Sequence, residues 1–249
     1  MSLLEVDNVA KQFGSLTAVD GVSLKVETGE LRAIIGPNGA GKTTFFNLVS
    51  GFFPPTSGSI RFNDQDITLL EPEERVRLGM SRTFQITEIF PELSVGENLR
   101  IAVDVAAGHR LRVRLSAGEE QHMRARLSEL LDLSGLGDKR DRLVGELSHG
   151  DQRATEIMMA LALRPRILML DEPTAGMGDQ ETYDTVRLIR RLHRDKGLTI
   201  VLIEHDMRVV FNLAQRIMVL AEGAVLAEGT PEEIATSEIV QAAYLGKAA

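Results

Sequence analysis

The chain has 249 residues, 43% of them hydrophobic, which is enough for one large α/β domain or a core with a subdomain. A net charge of −8, only 4% aromatic residues and no Trp argue against a nucleic-acid partner held by general electrostatics or base stacking. With no Cys, disulfides and thiolate metal sites are excluded. No run reaches the roughly 18 apolar residues that span a bilayer. Residues 1–5 begin at once in a strand-like pattern, not a signal peptide. The expectation is a cytoplasmic protein that works at a membrane only through a partner.

In chain order, residues 3–9 and 22–26 read as strands, with Lys11-Gln12-Phe13-Gly14 between them. Residues 31–35 form an apolar strand and residues 44–50 a helix closed by Gly51. A turn-rich connection over 53–58 leads to a short strand at 59–62, a short helix at 72–78 with Pro at its first turn, and a strand over 81–85. From about Ser94 the pattern turns helical, opened by a capping box between Ser94 and Glu97. A break near Ser116-Ala117-Gly118 precedes a second helix with Leu127, Leu130, Leu131 and Leu133 on its apolar side. This stretch interrupts the strand–helix alternation and reads as an inserted helical subdomain. Alternation returns with a helix at 154–163, an apolar strand at 167–170, a polar-faced helix at 180–196 stopped by Gly197, and an apolar strand at 198–203. Strands apolar throughout suit a parallel sheet covered on both faces. Residues 217–220 and 224–227, joined near Glu222-Gly223, read as a terminal hairpin, followed by short helices at 231–234 and 237–244.

The stretch Gly36-Pro37-Asn38-Gly39-Ala40-Gly41-Lys42-Thr43-Thr44 fits the phosphate-binding P-loop, and it lies between a strand and a helix as that loop must. Its glycines let backbone N–H groups approach phosphates, and the helix N-terminus adds the positive end of its dipole. Lys42 supplies a mobile positive charge for the β- and γ-phosphates, and the Thr43 hydroxyl can hold Mg²⁺. Asp171-Glu172 follows a buried strand, at the end where open α/β sheets bind ligands. Asp171 can hold Mg²⁺ there, and Glu172 can act as general base toward water. Leu147-Ser148-His149-Gly150-Asp151-Gln152-Arg153 directly precedes a helix, so the Ser148 hydroxyl and Gly150 N–H form a second anion site without a lysine. Alone, such a pattern is more often an ordinary N-cap.

Together these stretches resemble an ABC-type ATPase, the nucleotide-binding subunit of an ABC transporter, over essentially the whole length. Residues 36–44 match the Walker A motif, 167–171 Walker B, and 147–151 the LSGGQ signature. The resemblance implies an α/β fold: a P-loop core with an N-terminal antiparallel β subdomain and an inserted α-helical subdomain. It divides one domain, 1–249, into an ATP-binding core, 1–85 and 147–249, and a helical subdomain of about 86–146. It also implies a head-to-tail dimer, with two ATP at the interface and each signature covering the γ-phosphate on the other subunit's P-loop. By the same resemblance, Gln85 is the Q-loop glutamine that touches Mg²⁺ and the attacking water. His205 is the switch histidine at the γ-phosphate, Glu172 the catalytic glutamate, and Phe13 the aromatic that stacks on adenine.

There are departures. His149 and Asp151 replace the commoner Gly and Gln, with Arg153 expected to offset Asp151. Gly178 stands where many D-loops carry Asp, which puts coupling between the two ATP sites in doubt there. The forms LSHGDQR, PTAGM, IEHDM, EGTPEEI and the terminal AYLG resemble the LivG-type subunit of branched-chain amino acid importers, with the urea-importer subunit close behind. The implied assembly is a homodimer or a heterodimer with a paralogous ATPase, bound to transmembrane permeases at the inner face of the membrane and served indirectly by a solute-binding protein. A soluble ABC ATPase of DNA repair or translation usually carries a coiled-coil insertion, paired cassettes or a basic surface, and none of these is seen. A member that binds ATP without hydrolysis is opposed by intact Lys42, Asp171, Glu172 and His205. An export role stays open, though no membrane domain is fused to the chain.

Overall fold

The computed structural model describes residues 2–83, 89–108 and 116–245. The chain opens with a long hairpin, β1 (Ser2–Phe13) and β2 (Leu16–Glu27), turned through Gly14 and Ser15. Both strands run well past the expected 3–9 and 22–26. Apart from buried Val19, their added ends are exposed or only partly buried, so backbone pairing such as Phe13 with Leu16 holds them, and no sustained apolar alternation marks them. β3 (Leu31–Ile35) leads into α1 (Lys42–Ser50), and β4 (Ser57–Phe62) returns to pair antiparallel with β1. After β5 (Gln65–Asp66) come α2 (Pro72–Arg77) and β6 (Met80–Thr83). α3 (Val95–Ala106) and α4 (Ala117–Ser134) each begin at a serine capping box, Ser94 with Glu97 and Ser116 with Glu119. Then follow α5 (His149–Ala162), β7 (Ile167–Asp171), α6 (Asp179–Lys196) and β8 (Thr199–Ile203). α7 (Met207–Leu213), which the sequence reading passed over, is capped by Asp206. The chain closes with β9 (Arg216–Ala221), β10 (Ala224–Gly229), α8 (Pro231–Ala235) and α9 (Glu238–Leu245).

Among the described residues the strands form two sheets. One is antiparallel, in the order β2-β1-β4-β5. The other runs β10-β9-β3-β8-β7-β6 and is parallel except for the terminal hairpin. Every residue of β3, β7 and β8 is buried, because the parallel sheet is covered on both faces. The period-two alternation of side chains splits each strand between two cores. Leu168, Leu170, Ile200 and Leu202 pack with Leu99 and Leu130 of the helical side and with Ile157 of α5. Ile167, Met169, Val201 and Ile203 pack with Phe45 and Phe46 of α1 and Leu4 and Val6 of the antiparallel sheet. The P-loop and the Asp171 end therefore project from parallel strands β3 and β7, one on each side of β8, clamped between two cores.

Candidate functional site

At Gly36 and Gly41 the P-loop passes too close to its neighbours for a side chain. A Cβ on Gly36 would lie 2.1 Å from the Leu220 carbonyl oxygen, and one on Gly41 2.4 Å from that of Ala18. Both also hold positive φ, 151° and 93°. Lys42 is buried, and its Nζ donates to the carbonyls of Gly36 at 2.7 Å and Pro37 at 3.0 Å. Burial pushes the ammonium pKa down, while Glu172 and Asp171 pull it up, so both carboxylates lie within electrostatic reach of the loop. Residues 38–44, Glu172 and His205 line one cleft of about 640 Å³. The antiparallel sheet adds Leu16, Thr17 and Ala18 to it, and the terminal hairpin adds Glu222 and Gly223. That hairpin is tied to the loop: Gly223 N–H donates to the Ala40 carbonyl at 3.2 Å and its carbonyl accepts from Asp20 N–H at 2.8 Å.

Glu172 holds a left-handed conformation, φ 47°, which costs a non-glycine residue about 1–2 kcal/mol. Its N–H donates to the Ile203 carbonyl, fixing it to β8. Its Oε1 meets His205 Nε2 at 2.6 Å, so the two predicted catalytic side chains are in direct contact. The loops that carry them are joined by buried Glu204. Its Oε1 accepts from Thr174 N–H and hydroxyl, and its Oε2 from His205 N–H. Strain at this corner is thus held by hydrogen bonds on both sides.

Asp171 is 2% exposed and pairs with Arg82 Nη2 at 2.8 Å. Arg82 Nη1 donates to Asn47 Oδ1 and Ser50 Oγ of α1, and the guanidinium lies over the rings of Phe46 and Phe52. Burial pushes its pKa down and Asp171 holds it up. Thr43 lines the cleft, and Asp171, outside its lining but within electrostatic reach of Lys42, adds a second hard oxygen donor; the two donor types suit Mg²⁺. Among the described residues no cluster of three or more His, Asp or Glu forms a metal cage. The remaining ligands would be phosphate and water, as Mg²⁺ sites commonly use.

The signature helix starts five residues earlier than expected, at His149, with Ser148 as its N-cap accepting from Asp151 N–H. Gly150 is therefore inside its first turn, and its N–H donates to Glu181 Oε1 at 3.1 Å. The partner of Asp151 is Lys139, at 2.5 Å, and not Arg153. Arg153 instead binds Glu156 and the Asp171 carbonyl, joining the signature helix to the end of β7. Ser148 and Gly150 do not line the P-loop cleft. Phe13 also stays outside its lining. It is 47% exposed, edge-on to Phe53 at 5.5 Å between ring centroids, and Lys11 Nζ lies over both rings. Its pairing partner Leu16 does reach the cleft. Gln85 lies outside the described residues.

Several site residues were not signalled in the sequence. Arg82, Glu204 and Glu222 are single charged residues with no spacing to mark them, and they enter the site through sheet neighbours and a distant hairpin.

The chain matches the ABC transporter family over residues 19–175, and over residues 224–249 it matches the branched-chain amino acid ATP-binding cassette transporter family. It is 41% identical over 251 residues to the high-affinity branched-chain amino acid transport ATP-binding protein BraF of Pseudomonas aeruginosa, covering 99% of this chain and 98% of that protein. The corresponding protein LivG of Escherichia coli is similar to the same degree. A solved ATP-binding cassette of an ABC transporter superposes with a TM-score of 0.87 at 32% identity, covering 98% and 99% of the two chains.

Proposed function

From the premise that this chain belongs to the ABC transporter family, we propose that it is the ATP-hydrolysing subunit of an importer for branched-chain amino acids. The observation that carries the hydrolytic reading is the convergence of P-loop, Glu172 and His205 on one cleft, with Glu172 and His205 2.6 Å apart. The cargo reading is supported by the match of residues 224–249 and by the names of the relatives. The whole chain is taken as one ATPase domain, with the core in 1–85 and 147–249 and a helical subdomain at about 86–146.

The P-loop N–H groups and Lys42 hold the β- and γ-phosphates of ATP. For Lys42 this exchanges the carbonyls of Gly36 and Pro37 for phosphate oxygens. Thr43 and Asp171 would hold Mg²⁺, which supplies charge neutralisation on the phosphates when bound. Glu172 accepts the proton of the attacking water. His205 orients Glu172 through their contact and faces the γ-phosphate from the same cleft. Gln85, beside metal and water, and Phe13, on the adenine, keep their roles by family resemblance alone.

Ser148 and Gly150 lie off their own cleft, which favours service to a second subunit's ATP in a homodimer or a heterodimer. No described helix is long and apolar enough to cross a membrane. Membrane attachment is assigned to permease subunits on the inner face. A groove of about 290 Å³ lined by Val76, Thr83, Ile101, Val105 and Met159 supports a docking place at the end of β6. Val105 there is 64% exposed. The test is reconstitution with the permeases in vesicles and ATP-dependent uptake of labelled leucine, isoleucine and valine. Uptake of urea or amides in their place would transfer the cargo assignment to the urea-type subunits.

A further inference from the structure

The signature anion site carries an anion from its own chain. Glu181, the third residue of α6, places Oε1 3.1 Å from the Gly150 N–H and Oε2 3.2 Å from the Gly178 N–H. The Ser148 hydroxyl, which accepts from Asp151 N–H, also favours its charged form. Gly150 N–H, then Gly178 N–H, the Ser148 hydroxyl and neighbouring His149 hold this carboxyl below the usual carboxylate range. A Cβ on Gly150 would lie 3.1 Å from Glu181 Cβ and 3.3 Å from its Cγ, so glycine at 150 is what admits the Glu181 side chain. Capping α6 needs only the oxygen on Gly178. The second oxygen reaches across to another helix and takes the Gly150 N–H, a group that a partner's γ-phosphate would use.

We propose that Glu181 is a built-in occupant of the signature site, holding the Gly150 N–H beside Ser148 until the γ-phosphate on the partner subunit's P-loop displaces it. The inference rests on the shared-site reading of the dimer. Two anions cannot share the one Gly150 N–H, so each closure must first expel the carboxylate. Because its other oxygen anchors Gly178, expulsion also frees the segment between Thr174 and α6 that leads back to Glu172. Arrival of ATP at the signature is thereby relayed to the catalytic corner of the same chain, and Glu181 acts as a positioning residue. This relay does not need the missing aspartate at position 178.

The test compares Glu172→Gln with Glu172→Gln/Glu181→Gln and Glu172→Gln/Glu181→Ala. Sedimentation velocity is followed across an ATP titration with Mg²⁺, and monomer affinity is measured with a fluorescent ADP analogue. Glutamine keeps a cap for Gly178 but removes the charge. The expected result is a half-maximal dimer at about tenfold lower ATP in both double variants, the worth of one charge-assisted hydrogen bond. ADP affinity stays unchanged. A purely structural cap predicts no shift for the glutamine variant and a shift to higher ATP for the alanine variant, and either result overturns the proposal. If Glu172→Gln alone forms no dimer with ATP, the shared site fails and this inference falls with it. If Glu172→Gln dimerises and Glu181→Gln changes nothing, only the inference falls.

Discussion

The P-loop helix rests on one buried guanidinium, and Arg75→Met isolates its contribution. Arg75 is 1% exposed, and it sits under the C-terminus of α1. Nη1 donates to the carbonyls of Leu48 and Val49, both at 2.8 Å, two of the last four carbonyls that a helix leaves unpaired. Nε donates to Leu70 at 2.9 Å and Nη2 to Thr68 at 3.0 Å. Its charge also opposes the negative end of the helix dipole. Methionine keeps the length of the side chain but none of the donors. Leu48 retains the Gly51 N–H at 3.2 Å. The Val49, Leu70 and Thr68 carbonyls lose this donor, at about 2 kcal/mol each, or about 6 kcal/mol in all. Against this, the native fold bears the cost of burying the cation, which pulls its pKa down to about 10. That relief returns about 3 kcal/mol, leaving a net loss of about 3 kcal/mol. With a slope near about 3 kcal/mol per M, the urea midpoint should fall by about 1 M at unchanged slope. Nucleotide affinity per folded molecule should persist, because the perturbed end of α1 is opposite the phosphate end. A midpoint shift below about 0.2 M would refute the reasoning.

Lys42→Ala should weaken ATP binding by about 10- to 100-fold, the range expected for a charged donor, as read by titration with a fluorescent ATP analogue; unchanged affinity contradicts the P-loop assignment. Glu172→Gln should keep ATP binding, lower turnover by about 10²–10⁴-fold and accumulate an ATP-bound dimer. Ordinary turnover there would remove Glu172 from the base role. Lys196 first, and then Arg126, hold the Glu129 carboxyl below its ordinary value of 4.5. A depressed folded pKa means that the unfolded chain takes up the proton first. The stabilisation is therefore complete above 4.5 and is lost as pH falls below it through the folded value. Both side chains of the Lys196 pair are over 40% exposed, so solvent screening limits the effect to about 1 kcal/mol or less. Glu129→Gln should lower the urea midpoint slightly at neutral pH and flatten its fall on acidification. A wild-type acid slope in that variant would dismiss the pair as a contributor.

What could be read from the sequence had a spacing or a two-sided environment behind it. β3, β7 and β8 announced themselves because a doubly covered strand is apolar at every position. The P-loop did so because its backbone leaves few choices at 36, 41 and 42. The ends of β1 and β2 gave no such sign, since Gln12 and Thr17 pair through backbone and face solvent. The early start of α5 was hidden by His149-Gly150-Asp151, residues with weak helix propensity that a good N-cap at Ser148 overrides. Arg75, Arg82 and Glu204 organise the site through contacts made across the sheet or between neighbouring segments, and a lone charge carries no trace of such a partner in sequence.

The departures from the family pattern look costly in sequence and are answered locally in the fold. Asp151 would set a negative charge at a helix N-terminus meant for phosphate. In the structure Lys139, from the turn after α4, lies 2.5 Å from Asp151 and offsets that charge. As a first-turn acid, Asp151 also suits the dipole of α5. Arg153 is thereby released to hold the Asp171 carbonyl. At 178, where an aspartate is the commoner residue, glycine brings no side chain, but a carboxylate still reaches its N–H from Glu181. That same carboxylate meets the site beside His149, the third departure, whose proximity favours its ionised form. Positions 149 and 178 therefore share one side chain, and 151 is tied through Lys139 to the end of the helical segment. A substitution at any one of them should be judged with its partner in place, because residues in direct contact do not contribute additively.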